Sequence, residues 1–213
     1  MNFCAFAMLF FAAAAFAAED PVTVLPLGSP APDFNLPGID GKSYALKDFA
    51  GAKILALVFT CNHCPTAQNY EERLKKFVVA YEPKGVKFVA INPNNGRGLR
   101  LDELGYTDLG DSFEEMKIRA ADRKYNFVYL DDGDKQTVAR AYGCKATPHV
   151  FVFDAERKLR YVGRIDDSER EELVKTHDLR NALDALLAGR EVEVKETRAY
   201  GCSTKWAGKE STV

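Results

Sequence analysis

The chain has 213 residues, 46% of them hydrophobic, and its 14 Phe and 9 Tyr residues are enough to fill a sizeable core. Its 29 basic and 31 acidic residues leave a net charge of only -2, and no basic run is interleaved with aromatic residues. We therefore expect one compact domain, and nucleic acid is excluded as an expected partner.

The N-terminus is predicted to be a signal peptide at residues 1–17. Residues 1–18 carry no charged side chain, and Ala15-Phe16-Ala17 supplies the small residues of a cleavage site just before the acidic Glu19. An uncleaved membrane anchor is the alternative, because the run contains no Lys or Arg, but it is shorter than the ~20 residues of a spanning helix. Either interpretation places the remainder outside the cytoplasm, in the periplasm or secreted.

The rest of the chain is expected to form one domain. Residues 27–188 contain no internal repeat, low-complexity tract or linker rich in Pro, Gly or Ser. We therefore predict a short N-terminal segment at 18–26, a domain at 27–190 and a C-terminal tail at 191–213.

Two short apolar runs at 34–36 and 43–46 flank a turn-rich stretch and predict an N-terminal β-hairpin. The continuous apolar run at 54–59 is typical of a central strand that is buried on both faces. A helical pattern then runs from Cys64 until Pro83 and Gly85 end it.

Strand and helix patterns alternate after this helix, which predicts parallel strands. The predicted elements are a strand at 86–91, a helix at 112–125, a strand at 127–130, a helix at 135–142, a hairpin of strands at 149–153 and 159–165, and a helix at 179–188. The closing hairpin adds antiparallel strands, so we predict an α/β fold with a central mixed sheet flanked by helices. Residues 92–109, rich in Gly and Asn, are predicted to form a surface loop.

Cys61-Asn62-His63-Cys64 lies where the buried strand ends and the helix begins. Disulfide exchange requires an attacking thiolate and a second thiol that resolves the mixed disulfide, and two intervening residues bring both sulfurs together. We predict that Cys61 is the exposed attacker, that Cys64 resolves, and that the two form a redox-active disulfide. The helix dipole stabilises the Cys61 thiolate, and a protonated His63 would add positive charge.

Two other interpretations of the motif are less favoured. A metal site needs further ligands, but Cys144, Cys202, His149 and His177 are scattered singly along the sequence, so neither metal nor cofactor is expected. A static structural disulfide is the second alternative.

Thr147-Pro148 precedes the predicted strand at 149–153, roughly eighty residues after the motif. With this combination the chain resembles the thioredoxin superfamily. The resemblance implies a thioredoxin-like fold in which the Thr147-Pro148 bond is cis, faces Cys61 and Cys64, and offers backbone groups to an extended substrate. Thioredoxin also has a buried acid that takes the proton of the resolving thiol, and residues 53–60 contain no carboxylate. His63 or a chain of water molecules would have to replace it.

The segment at 28–34 with its following turn also resembles the N-terminal hairpin of TlpA-type and peroxiredoxin-like proteins. Cys64-Pro65-Thr66 is similar to the peroxidatic Cys-Pro-Thr of peroxiredoxins. In that alignment Cys61 stands where the peroxidatic site has Thr, and the peroxidatic Arg has no counterpart near Thr147. The resemblance therefore makes a thiol peroxidase that uses Cys64 the second expectation.

The favoured function is an exported thiol-disulfide oxidoreductase whose partners are protein thiols or disulfides and a dithiol reductant. The alternatives are the Cys64 peroxidase and a non-catalytic binding protein of the same fold. Cys144 and Cys202 are possible additional thiols that either relay electrons or form a structural clamp, and a structural role is preferred.

Overall fold

The computed structural model describes residues 22–99, 102–103 and 107–208. The predicted signal peptide and residues 18–21 of the segment at 18–26 lie outside the described residues. Within the described ranges, no helix is long and apolar enough to cross a membrane.

The described chain forms nine strands and four α-helices. The strands are β1 (Asn35–Pro37), β2 (Ser43–Ala45), β3 (Ile54–Phe59), β4 (Val86–Asn92), β5 (Val128–Asp131), β6 (Ala146–Thr147), β7 (His149–Phe153), β8 (Leu159–Gly163) and β9 (Cys202–Ser203). The helices are α1 (Pro65–Tyr81), α2 (Phe113–Arg123), α3 (Thr137–Tyr142) and α4 (Asp178–Leu187).

The central sheet has five strands in the order β5-β4-β3-β7-β8. β3 pairs in parallel with β4 and antiparallel with β7, while β5 is parallel to β4 and β8 antiparallel to β7. The predicted mixed sheet flanked by helices is thus confirmed, as is the hairpin of β1 and β2.

β3 is buried on both faces because its alternate side chains enter two different cores. Leu55, Leu57 and Phe59 pack with the N-terminal hairpin and α3 on one side of the sheet. Ala56 and Val58 pack with α1 and α4 on the other side. The uninterrupted apolar run is therefore explained by burial of the strand between two layers.

The sequence did not predict β6 or β9, which form a separate two-stranded antiparallel sheet. Strands of two residues are too short to have a recognisable periodicity. This small sheet is nevertheless the element that joins the C-terminal tail to the proline loop.

A pair of identical substitutions tests the core. Val89 in β4 is 0% exposed, whereas Val79 on α1 is 70% exposed. Val89→Ala is expected to lower the free energy of unfolding by about 2 kcal/mol, since buried carbon atoms are lost and a cavity remains. Val79→Ala is expected to change it by less than about 0.5 kcal/mol. Urea denaturation measures both, and equal effects would contradict this assignment of the core.

Candidate active site

The first turn of α1 begins at Cys64. Cys64 is the N-cap residue, its backbone is extended, and Pro65 occupies the first turn, where a missing N–H costs nothing. The Cys64 Sγ accepts a hydrogen bond from the backbone N–H of Ala67 at 3.5 Å. The Cys64 sulfur therefore lies at the positive end of the helix dipole.

The Thr147-Pro148 peptide bond is cis, as the resemblance implied. Thr147 contacts both sulfurs of the motif. Its Oγ1 lies 3.1 Å from the Cys61 Sγ, and its carbonyl oxygen lies 3.3 Å from the Cys64 Sγ and accepts a hydrogen bond from it when Cys64 is protonated. The fold thus brings together four residues predicted for the site, Cys61, Cys64, Thr147 and Pro148.

The sequence predicts that Cys61 is exposed, and this prediction is wrong. Cys61 is only 2% exposed and Cys64 is 0% exposed. Cys202, on β9, packs against the buried cluster that Cys61 and Cys64 form with Ala67. The C-terminal tail therefore covers the two thiols, which the motif alone could not indicate.

The electrostatic environment separates the two thiols of the motif. The pKa of Cys64 is lowered, chiefly by hydrogen bonds from the thiols of Cys202 and Cys61 and also by the Ala67 N–H. The pKa of Cys61 is raised well above its usual value, chiefly by burial. The electrostatics of the reduced site therefore favour the thiolate form at Cys64 over Cys61.

Asp111, which the sequence analysis did not single out, organises the loop between the two cysteines. It is 3% exposed, and its Oδ1 accepts hydrogen bonds from the backbone N–H groups of Asn62 at 2.8 Å and His63 at 3.0 Å. Its Oδ2 lies 2.6 Å from the His63 Nδ1 and accepts a bond from the Asn94 side-chain amide at 2.7 Å. The buried carboxylate is thus bonded through both oxygens.

His63 has a different environment from the one that the motif suggests. Its side chain is 2% exposed and turns towards Asp111 instead of lying free between the sulfurs. If Nδ1 donates to the carboxylate, Nε2 is the acceptor nitrogen, and among the described residues Nε2 has no hydrogen-bond partner. Asp111 therefore fixes the orientation of the ring and favours one tautomer.

Cys61, His63 and Asp111 form the kind of group that can hold a metal ion. One potential ligand atom from each lies within 4.8 Å of the others. However, the Asp111 oxygens already accept four hydrogen bonds, so a cation would have to break the bond to His63 or Asn94. The three side chains could therefore bind a soft cation only after one of those hydrogen bonds is broken.

The two additional thiols occupy different environments. Cys202 interacts with Cys64, and its own pKa is raised, first by that hydrogen bond and then by burial. Cys144 is 0% exposed, interacts with the Thr204 hydroxyl, and has a pKa raised to about 12 by burial. Neither cysteine is in a disulfide, so the clamp between them that the sequence suggested is not formed in this structure.

The fold and the paired cysteines beside a cis-proline define a thioredoxin-like protein. The sequence profile of the AhpC/TSA family matches residues 27–162, and the chain belongs to this family. Membership of this family indicates thiol-disulfide oxidoreductase or peroxidase activity. No curated protein matches the chain significantly.

Solved structures similar to the chain include a hypothetical protein from Sinorhizobium meliloti 1021, which is 34% identical over 87% of this chain and 97% of its own, with a TM-score of 0.76. An uncharacterized conserved protein from Geobacillus kaustophilus is 39% identical over 86% of this chain and 93% of its own, also with a TM-score of 0.76. A protein from Chlorobium tepidum, described as thiol:disulfide interchange protein DsbE, is 24% identical over 76% of this chain and 99% of its own, with a TM-score of 0.60, and shares the fold.

Asp111→Asn tests the role of the buried carboxylate. Burial is the main reason for the raised pKa of Cys61, and the negative charge of Asp111 adds to it. Removing that charge is expected to lower the pKa of Cys61, so alkylation of Cys61 by iodoacetamide should begin at lower pH. The loss of buried acceptors should also lower the free energy of unfolding by about 1–3 kcal/mol.

Asp122→Asn on the exposed side of α2 is the control and should change neither quantity. Because a purely structural role would change stability alone, a pH profile that does not move would contradict the electrostatic role of Asp111.

Proposed function

We propose that the chain is a thiol-disulfide oxidoreductase that exchanges disulfides with protein substrates through Cys61 and Cys64. The observation that carries this proposal is the convergence of both sulfurs on Thr147, at 3.1 and 3.3 Å, next to the cis bond to Pro148. An extended polypeptide held at this loop would present its disulfide directly to the pair.

The reaction begins with Cys61 as a thiol and Cys64 as a thiolate. The Cys61 proton passes to Cys64, and the Cys61 thiolate attacks one sulfur of the substrate disulfide. A mixed disulfide forms, and the other substrate sulfur leaves as a thiolate, which takes the proton from Cys64. Cys64 then attacks the Cys61 sulfur, releasing the second substrate thiolate, which is protonated by solvent. Two electrons have passed to the substrate, and Cys61 and Cys64 are joined by a disulfide.

His63 and Asp111 have a positioning role in this scheme. The Asp111 hydrogen bonds hold the backbone of Asn62 and His63, so they hold the loop that separates the two sulfurs. With Nδ1–H directed to Asp111, Nε2 is the acceptor nitrogen of the ring and has no hydrogen-bond partner among the described residues.

The partners in this proposal are protein disulfides on one side and a dithiol reductant on the other, which restores both thiols after each turnover. The apolar N-terminal run supports export to the periplasm or the medium, an oxidising setting in which such exchange is needed. No metal or cofactor takes part in the proposed reaction.

Substitution of either cysteine tests the proposed pair. Cys61→Ser and Cys64→Ser are each expected to reduce the rate of peptide-disulfide reduction, measured with a dithiol as electron donor, to the uncatalysed background. Cys144→Ala is the matched control, because this thiol lies outside the sulfur cluster and has a raised pKa, and it should retain the full rate. Full activity of Cys61→Ser would overturn the proposal.

The same variants identify the attacking sulfur. If Cys61 attacks and Cys64 resolves, the mixed disulfide with a substrate peptide should accumulate on Cys61 in Cys64→Ser and should not form in Cys61→Ser. Mass spectrometry of the acid-quenched reaction measures the adduct. An adduct found only on Cys64 would assign the attack to Cys64.

The lowered pKa of Cys64 specifically favours a second candidate, a thiol peroxidase in which the Cys64 thiolate attacks peroxide. Hydrogen peroxide would then convert Cys64 to a sulfenic acid with release of water. Turnover of peroxide should survive in Cys61→Ser when a reductant is supplied. Failure of this variant to consume peroxide at any concentration would remove the candidate.

A further inference from the structure

The C-terminal tail occupies the backbone edge of the proline loop. β9 pairs antiparallel with β6, Cys202 opposite Thr147 and Ser203 opposite Ala146. The pairing continues beyond the strand, because the Thr204 N–H donates to the Lys145 carbonyl at 3.2 Å. An extended segment of this chain therefore lies where β6 would otherwise offer unpaired backbone groups to another strand.

The sequence of the tail permits an unusually close approach at this point. Gly201 has a φ of +148°, and a Cβ atom built on it would lie 2.0 Å from the Thr147 carbonyl oxygen. No other residue could occupy this position without moving the strand away from Thr147. Thr147 is the same residue that contacts the sulfurs of Cys61 and Cys64.

The pairing delivers a third sulfur to the site. The Cys202 thiol interacts with Cys64 and packs with Cys61 in the same cluster, while Cys202 itself is half-buried. The tail is also anchored beyond the cluster, because the Lys205 backbone N–H donates to the Asn94 side chain at 2.9 Å. Asn94 in turn bonds to Asp111, so the tail and the loop of the motif are held by one network.

We propose that residues 201–204 are an internal substrate strand, and that Cys202 is a third exchange thiol that forms a disulfide with Cys64. This inference rests on the proposed function of Cys61 and Cys64 and extends it, since the tail holds the place of a peptide substrate beside the proline loop. External polypeptides then gain access to the sulfurs by displacing β9 from β6.

The step that links the tail is an internal disulfide exchange. In the oxidised site, the Cys202 thiolate attacks the Cys64 sulfur of the Cys61–Cys64 disulfide. The bond between Cys202 and Cys64 forms, the bond between Cys64 and Cys61 breaks, and Cys61 leaves as a thiolate that takes the proton released by Cys202. The exchange needs no external oxidant, because the number of disulfides does not change.

The exchange creates two states of the site. With Cys64 joined to Cys202, a covalent bond links β9 to the N-terminus of α1 and keeps it paired with β6, so Cys61 is a free thiol and the peptide edge is closed. When a dithiol reduces that bond, only backbone hydrogen bonds and packing hold the tail, so a peptide can compete for the same edge. The tail thus couples access of polypeptide substrates to the redox state of the enzyme.

Disulfide mapping tests the assignment of Cys202. The full-length protein is equilibrated in glutathione buffers of graded potential, the remaining thiols are alkylated in acid, and the linked peptides are identified by mass spectrometry. Wild type and the Cys144→Ala control should both yield a peptide linking Cys64 to Cys202. Cys202→Ser should yield only the Cys61–Cys64 disulfide.

Displacement of the tail is tested without touching the thiol. Gly201→Ala forces β9 away from Thr147, so KM for a disulfide-containing peptide should fall several-fold. Gly208→Ala is the control, because Gly208 also has a positive φ but no atom lies within 4 Å of its Cβ position. Cys202→Ser supplies an independent variant if Gly201→Ala does not fold, and it should also lower KM because the closed state cannot form.

The outcomes separate this inference from the proposed function. A wild-type protein that forms only the Cys61–Cys64 disulfide at every potential, and a KM that is unchanged in Cys202→Ser, would overturn the inference while leaving the exchange activity intact. Loss of dependence on Cys61 and Cys64 themselves would overturn both.

Discussion

The antiparallel pairing of β3 with β7 determines where the sulfurs of the site lie. In this register Phe59 is opposite His149, so Cys61, two residues after Phe59, meets Thr147, two residues before His149. Both strands are buried on both faces, and a shift of one residue would send every side chain to the wrong core. The register of the site is therefore fixed by close packing of large apolar side chains. The sulfur hydrogen bonds to Thr147 are too weak to set it.

Burial and hydrogen bonding shift the pKa values of the thiols at this site in opposite directions. Removal from water disfavours any thiolate, and at Cys61, where the charge of Asp111 adds to burial, the neutral form is favoured. At Cys64 the donors from Cys202, Cys61 and the first turn of α1 outweigh burial. Two thiolates in contact would repel each other strongly in this environment, so the cluster accommodates one charge. The tail is part of this balance, because Cys202 provides the largest favourable contribution at Cys64.

Much of the frame could be predicted from the sequence, because its signals are local. The apolar run at 54–59, the helix beginning at Cys64 and the proline after Thr147 each depend on neighbouring residues, and each is present as expected. What could not be predicted depends on distant pairs. Asp111 follows a Gly in a loop without periodicity, and only the folded chain brings it to the backbone of His63.

Two further features also depend on residues that are distant in sequence, and they could not be predicted from it. β9 has two residues and its partner strand two, so neither has the alternation that identifies a strand. Cys202 is recognisable in the sequence as a spare thiol that either relays electrons or forms a clamp with Cys144, since nothing in the spacing favours a contact with Cys64 in particular. Likewise Arg73 and Asp166 form a buried ion pair at 2.6 Å between α1 and the loop after β8, although each looks like an ordinary surface charge in the sequence.

The position of the tail also bears on how a buried site could act on the polypeptide substrates that we propose for it. If β9 left β6, the backbone groups of Thr147 and Ala146 would be exposed, and an unpaired strand edge is an attractive partner for any extended peptide. A substrate strand that replaces β9 restores the same backbone hydrogen bonds, so the exchange of one strand for another is nearly balanced in that respect. Side chains and sulfur chemistry would then decide which strand pairs with β6. Gly201 permits β9 to lie close to Thr147, and Cys202 could form the proposed disulfide with Cys64. In the proposed scheme, a covering segment of this kind would protect the thiols from small oxidants and would still be replaceable by a polypeptide that carries a disulfide.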